Sequence, residues 1–332
     1  MKIGTDFSGI GSPEMALKLL DIEHEQVFAC EIDKYARKSF EAIHGKPQRF
    51  YEDITKRDHS EIPQLDLYVA GFPCQAFSMA GKRKGFDDVR GTLFFNVAEF
   101  IKINQPKCFI LENVKGLLSH DGGKTFQTII SLLTDNGGTA NGQIFIPYFE
   151  DGLGYHVYYK VLNTKDYGIP QNRERIFIVG FKEFREFSFP KPFQLELRLK
   201  DMLQDNPDYK YFLSDKMIES FTNHKERHKE KGTGFQWQPK DGNDIANALR
   251  ANAALCATDN SIKVPSATKK VLNSYKIRRL TPLECWRLQG YPDAAFMEAQ
   301  KINSDTQLYK QAGNSITVNV MMELLKKIYE TI

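Results

Sequence analysis

Short apolar runs alternate with stretches of helical spacing through the first third of the chain, and this pattern limits what it can fold into. Residues 2–5, 26–30, 66–70 and 108–111 have strand length, while residues 13–20, 34–43 and 93–103 carry helical periodicity. Strands separated by helices predict βαβ units and a mostly parallel sheet covered on both faces. Residues 156–162 and 175–180 read as two more strands, joined through Asp166-Tyr167-Gly168-Ile169-Pro170. The Gly- and Asn-rich residues 135–154 interrupt the pattern and read as a surface insertion. A final apolar-periodic helix is expected over residues 316–328, and Thr281-Pro282 opens another with a Thr cap and Pro at its first position.

Ligands in such sheets bind beyond the carboxyl ends of the strands, and the polar motifs of this chain cluster there. Asp6-Phe7-Ser8-Gly9-Ile10-Gly11 follows the first strand, as a ligand loop or a plain tight turn. Glu31 follows the second strand, where a carboxylate can accept from ribose hydroxyls. Asp33 reads as the cap of the next helix, and Asp53 as a surface turn residue or a partner for an amino group. Gly71-Phe72-Pro73-Cys74-Gln75 follows the 66–70 strand, making Cys74 a nucleophile candidate; Cys30, Cys108, Cys256 and Cys285 read as packing. The glycine-hinged, basic Ala80-Gly81-Lys82-Arg83-Lys84-Gly85 reads as a mobile cover able to touch phosphates. Glu112, in Leu111-Glu112-Asn113-Val114, ends the next strand, and Arg173 and Arg175, at i and i+2 of Gln171-Asn172-Arg173-Glu174-Arg175, should point the same way.

Composition narrows the class. With 332 residues, 41% hydrophobic and 26% charged, the chain is globular, which excludes disorder and coiled coil. No signal-peptide core or membrane-length apolar run is present, so no membrane partner is expected. Five scattered cysteines argue against a disulfide framework and against a metal site. The net charge of +3 is uneven: residues 182–276 hold 17 basic and 13 acidic residues, and Arg278 and Arg279 follow. The remainder is therefore slightly acidic, about −3. Within the basic stretch, Lys225, Arg227, Lys229 and Lys231 surround His224 and His228 ahead of Gly232-Thr233-Gly234-Phe235-Gln236, either a groove-entering loop or a solvated helix and turn.

In sequence order, the glycine turn, Glu31, Pro73-Cys74-Gln75, Glu112-Asn113-Val114, Gln171-x-Arg173-x-Arg175, the basic variable region and Gln311-Ala312-Gly313-Asn314-Ser315 resemble the DNA (cytosine-5)-methyltransferase family, in its compact bacterial and phage form. The resemblance implies an α/β fold: a Rossmann-like, mixed and mostly parallel methyltransferase sheet with a smaller, irregular target-recognition domain. Residues 1–184 and 306–332 would form the catalytic and cofactor domain, and residues 185–305 the recognition domain. It implies S-adenosylmethionine as methyl donor, S-adenosylhomocysteine as product, and duplex DNA from which a cytosine is flipped. Cys74 would attack carbon 6, Glu112 would hold the ring nitrogen and amine, Arg175 would bind the ring oxygen, and Arg173 would support them. Phe7, Ser8, Gly9, Gly11, Glu31, Ile32, Asp53, Ile54, Pro73, Leu93, Asn314, Ser315 and Ile316 would surround the cofactor. Ser78, Lys82, Arg83, Lys84, Phe235, Gln236 and Arg250 would touch DNA. A monomer in a bacterial cytoplasm, or encoded by a phage, is expected, with or without a cognate restriction endonuclease. Two departures, Ala248-Leu249 in place of the usual Thr-Leu and Ala80 in place of a serine, bear on recognition.

Overall fold

The computed structural model describes residues 1–73, 93–135, 137–142, 152–232, 237–251, 259–265 and 275–331. Cys74, Ser78, Lys82, Arg83, Lys84, Phe235 and Gln236 therefore lie outside the described residues, as do Ala80 and Cys256. The chain divides into two compact units: Met1–Asn163 with Glu174–Lys191 and Val320–Ile332, and Thr164–Arg173 with Pro192–Asn319. These bounds differ from the expected division, since residues 164–173 and 306–319 cluster with the second unit.

The first unit is built in chain order from β1 (Lys2–Asp6), α1 (Ser12–Leu19), β2 (Glu25–Cys30), α2 (Lys34–His44), β3 (Arg49–Tyr51), β4 (Leu67–Ala70), α3 (Leu93–Asn104), β5 (Cys108–Val114), α4 (Lys124–Thr134), β6 (Thr139–Ala140) and β7 (His156–Asn163). After β8 (Gln171–Asn172), which belongs to the second unit, β9 (Glu174–Phe181) completes the sheet. The strand order is β3-β2-β1-β4-β5-β9-β7-β6. The pairs among β3, β2, β1, β4 and β5 are parallel, and β9 runs antiparallel to both β5 and β7. Phe28, Tyr68, Phe100 and Phe109 are fully buried in its core, which explains the continuous apolar runs of the central strands.

Two local expectations need correction. Residues 135–154 are not simply a surface insertion: Thr139–Ala140 pairs in parallel with β7, and Asp135, Ala140 and Leu153 are buried. Gly138 permits this close weave, because a side chain there would collide with the Tyr155 carbonyl. The fourth strand also runs past residue 111 to Val114, so Glu112 and Asn113 are strand residues whose side chains alternate between faces.

The second unit holds α5 (Asp215–Glu230), β10 (Ala246–Asn247), β11 (Ser261–Pro265), β12 (Tyr275–Arg279), α6 (Pro282–Arg287), α7 (Asp293–Gln300) and α8 (Asp305–Asn314). β8 pairs with β10, and β11 with β12. The expected Thr cap forms a full capping box at the head of α6: Glu284 N–H donates to Thr281 Oγ1, and Thr281 N–H to Glu284 Oε2. Arg278 forks onto the same buried carboxylate at 2.7 and 2.8 Å. Trp286 is fully buried against Tyr291 and Phe296, its indole N–H donating to the Leu308 carbonyl. By contrast, no residue of the basic helix α5 is buried. The last helix, α9 (Val318–Thr331), clusters with the first unit from Val320 onward and buries Val320, Met321, Leu324, Leu325 and Ile328.

Candidate active site

The turn after β1 is made by residues that leave the right-handed region. Phe7, Gly9 and Gly11 all have positive φ, at 53, 55 and 79°. A side chain at Gly11 would also collide with the His44 ring, so both conformation and space require glycine. The turn is tied to the end of β2 on both sides. Ser8 N–H donates to the Cys30 carbonyl and Cys30 N–H to Ser8 Oγ, while Gly9 N–H donates to Glu31 Oε2 at 2.9 Å. Glu31 Oε1 accepts from Asp33 N–H at 2.8 Å. Burial raises the Glu31 pKa above the usual carboxylate value, against the pull of these two backbone donors.

The other expected cofactor residues of this unit differ in burial. Ile32, beside Glu31, is 75% exposed, and Pro73 is exposed. Phe7 and Leu93 are partly buried against the core, and Ile54 is buried in it. Asp33 caps α2, accepting from Tyr35 and Ala36 N–H. Asp53 is also a cap: its Oδ1 accepts from Thr55 N–H and Oγ1, bonds that lower its pKa.

The residues expected to be catalytic, other than Cys74 and Arg173, lie on β5 and β9. Their antiparallel register pairs Glu112 with Phe177 and Val114 with Arg175, so Glu112 and Arg175 are diagonal neighbours on one face. Arg175 Nε lies 3.1 Å from Glu112 Oε1, with both side chains largely shielded. Asn113 faces the other way, and its Nδ2 donates to the Phe72 carbonyl at 2.9 Å. That bond anchors the segment leading to Cys74. Cys30, Cys108 and Cys285 are buried free thiols, each raised in pKa by burial, as their reading as packing residues requires.

Arg173 is placed differently from Arg175. It precedes β9, so the expectation that the two arginines point the same way does not hold for a single strand. It is 3% exposed, and within the second unit its guanidinium donates to the carbonyls of Leu249, Gly313 and Ser315 at 2.9 to 3.0 Å. Gln171 extends this brace, accepting from Leu249 N–H and donating to the Leu288 carbonyl. Gly313 is required there, because a side chain would strike the backbone of Arg250. Asn314 is exposed at the end of α8, Ser315 is buried with its hydroxyl on the Gln311 carbonyl, and Ile316 is half-buried. Arg250, expected at DNA, donates from Nε to Asp259.

A buried network beneath the glycine turn was not anticipated. Arg57 forks onto Asp6 at 2.7 and 2.8 Å, and the Tyr68 hydroxyl donates to Asp6 Oδ2 at 2.6 Å. The guanidinium sits over the rings of Phe28 and Phe100. Asp6 was visible only as part of the turn motif, and no local pattern marks Arg57 as its partner 51 residues away.

This mostly parallel sheet, with a glycine turn after its first strand and a carboxylate after its second, is the Rossmann-like fold of the S-adenosylmethionine-dependent methyltransferases. A solved structure, the Dnmt2 methyltransferase of S. pombe, superposes with a TM-score of 0.73 over 99% of this chain and 98% of its own, at 18% identity. The sequence profile of the C-5 cytosine-specific DNA methylase family matches residues 1–145 and 139–330. Similar relatives include the Type II methyltransferase M.HpaII of Haemophilus parainfluenzae, 40% identical over 98% of this chain and 88% of its own length. Another is the Type II methyltransferase M.NgoBI of Neisseria gonorrhoeae, 41% identical over 97% of this chain and 90% of its own. The chain belongs to the C-5 cytosine-specific DNA methylase family. It is a DNA cytosine-5 methyltransferase, and S-adenosylmethionine is its methyl donor. The residues fit that cofactor. The half-desolvated Glu31 carboxylate has acceptor capacity beyond its two backbone donors, Ile32 offers an exposed apolar surface beside it, and the space around Gly9 where a side chain would stand is open. No helix among the described residues is long and apolar enough to cross a membrane.

Proposed function

We propose that this enzyme modifies cytosine in duplex DNA by covalent catalysis from Cys74, as the modification partner of a restriction endonuclease or as an orphan methyltransferase. The observation that carries this reading is the Glu112–Arg175 pair on β5 and β9, beside the Asn113 anchor of the segment that leads to Cys74. The target base is stacked inside a duplex and must be flipped into the site.

The Cys74 thiolate adds to carbon 6 of the flipped cytosine, pushing electron density onto carbon 5. Glu112 holds ring nitrogen 3 and the exocyclic amine, so that negative charge building on the ring is stabilised by proton donation. Arg175 donates to the ring oxygen and fixes the Glu112 carboxyl group, which enters the step as the acid. When bound, S-adenosylmethionine supplies the electrophilic methyl group. Loss of the carbon 5 proton to a base, followed by departure of the Cys74 thiolate, restores the aromatic ring. Arg173 acts by bracing residues 249, 313 and 315, and so supports Asn314 and Ser315.

Phe7 is assigned to the adenine, Glu31 to the ribose, Asp53 to the adenine amine, and Gly9, Gly11, Asn314 and Ser315 to the methionine part, with Ser8, Ile32, Ile54, Pro73, Leu93 and Ile316 around them. Residues 1–184 with 306–332 serve catalysis and residues 185–305 serve recognition. Ser78, Lys82, Arg83, Lys84, Phe235, Gln236 and Arg250 touch DNA, and the enzyme acts as a monomer. Transfer of labelled methyl to duplex DNA, followed by bisulfite sequencing, tests the reading and gives the site. Labelling of tRNA with none of duplex DNA would overturn it.

A further inference from the structure

Glu14 is the first-turn carboxylate of α1, and it is 2% exposed. Its Oε1 accepts from Thr5 Oγ1 at 2.8 Å. Thr5 Oγ1 lies 3.0 Å from Ser8 Oγ, and Ser8 Oγ in turn accepts from Cys30 N–H. A chain of hydroxyls thus runs from Glu14 to the turn whose next residue, Gly9, is held by Glu31. Two buried acceptors remain at the Glu14 end: neither Glu14 Oε2 nor Gln26 Oε1 has a hydrogen-bond partner among the described residues. Both residues line one cavity of about 440 Å³. Gln26 Nε2 is held by the Phe28 carbonyl at 2.8 Å and lies 3.4 Å from Thr5 Oγ1, which puts the Gln26 side chain beside Glu14. Two buried acceptors on neighbouring side chains are each costly to leave unpaired, and a single proton on Glu14 would satisfy both.

We propose that Glu14 is a positioning residue for the cofactor turn: it works protonated, one carboxyl oxygen donating to Gln26 Oε1 while the other accepts from Thr5. This rests on the reading that residues 7–11 and Glu31 hold S-adenosylmethionine. The neutral acid ties α1 to β1 and β2 without leaving a charge in the interior, and fixes Thr5 as donor at one end of the hydroxyl chain. Burial raises the Glu14 pKa from 4.5 to about 7, so the proton is held through the acid range and is lost as pH rises through neutrality. The other charged or titratable groups at the cavity are Lys18 and Asp21 from α1 and the turn after it, Glu23 and His24 before β2, and His44 and Lys46 at the end of α2. His44 is itself neutral, since burial lowers its pKa to about 4 while its ring nitrogen Nε2 stays against the Ile10 carbonyl.

The test has two readouts. The first is a titration of 13C-carboxyl-labelled glutamate in the full chain. One signal, absent from Glu14→Gln, should titrate near neutrality; titration of that signal in the ordinary glutamate range would overturn the proposal, and this readout needs only that the wild type fold. The second is S-adenosylmethionine affinity by calorimetry from about pH 5.5 to 8.5 in the wild type and in Glu14→Gln, whose amide can make the same two bonds. The wild type should weaken by about tenfold as pH rises, the value of one hydrogen bond, and Glu14→Gln should stay flat at the tighter affinity. A Glu14→Gln profile that still falls with the wild type would overturn the proposal. Glu31→Gln distinguishes the underlying reading: cofactor binding undiminished in that variant would remove the cofactor from this turn, even with Glu14 titrating near neutrality.

Discussion

Asn113 Nδ2 holds the Phe72 carbonyl at 2.9 Å, joining the end of β5 to the segment that carries the chain into Cys74. The neighbouring residue Glu112 faces the opposite way, toward Arg175. Under the proposed mechanism, one short strand presents a base-holding carboxylate on one face and anchors the nucleophile's segment from the other. Replacing Asn113 with Ala should lower kcat by about tenfold or more, through misplacement of the nucleophile, with little change in KM for S-adenosylmethionine. Steady-state kinetics on duplex DNA checks this; an unchanged kcat would contradict it.

The two arginines of the Gln-x-Arg-x-Arg block should behave as opposites. Arg173 spends its fork on three backbone carbonyls in the second unit, a geometry that a lysine cannot copy. Arg173→Lys is expected to cost on the order of 2 kcal/mol of unfolding free energy, since buried carbonyls lose their donors. Arg175→Lys should leave denaturant unfolding almost unchanged and lower kcat. Equal losses of stability in the two variants would contradict the division.

Glu31→Gln should raise KM for S-adenosylmethionine by about tenfold, the equivalent of weakening one charge-assisted hydrogen bond. The KM for DNA should stay as it is. Calorimetry without DNA measures the same effect directly.

Arg57 and Asp6 are both fully buried, and each is the other's principal partner. Arg57→Ala leaves the Asp6 carboxylate without its cationic partner, and should cost about 3 to 5 kcal/mol in urea unfolding, as stranding a buried charge does.

The turn motif, the cap Asp33 and the Thr cap at Thr281 were legible in the sequence because each is fixed by residues a few positions apart. The parallel half of the sheet was legible for the same reason, as apolar runs spaced by helices. Other features depend on long-range pairing. β9 inserts antiparallel between β5 and β7, an arrangement that no local spacing specifies. Arg57 meets Asp6 only once β1 and the segment after β3 lie side by side, and Arg173 meets Gly313 across 140 positions. Residues 139–140 looked like loop because two residues of strand carry no periodicity.

Acid and alkaline limits of stability should come from different groups. Desolvation lowers the pKa values of the half-buried His44 and the buried His59 to about 4; their contribution is fully present above about pH 6.5 and is lost as pH falls toward 4. Glu14 has the opposite sign: its raised pKa contributes stability below about pH 4.5 that is lost as pH rises through about 7. That contribution is on the order of 3 kcal/mol. Unfolding of the wild type should therefore be easier at pH 8 than at pH 6 relative to Glu14→Gln, and parallel curves for the two chains would contradict the assignment.

The central claim, that Cys74 bonds to carbon 6 of a cytosine held by Glu112 and Arg175, is tested most directly by trapping on duplex DNA containing 5-fluorocytosine at the modified site. Fluorine blocks release of the group at carbon 5, so the account predicts a covalent protein–DNA adduct, dependent on S-adenosylmethionine and absent from Cys74→Ala. Cofactor-dependent adduct formation by Cys74→Ala, or methyl transfer to cytosine by a wild type that forms no adduct, would contradict it.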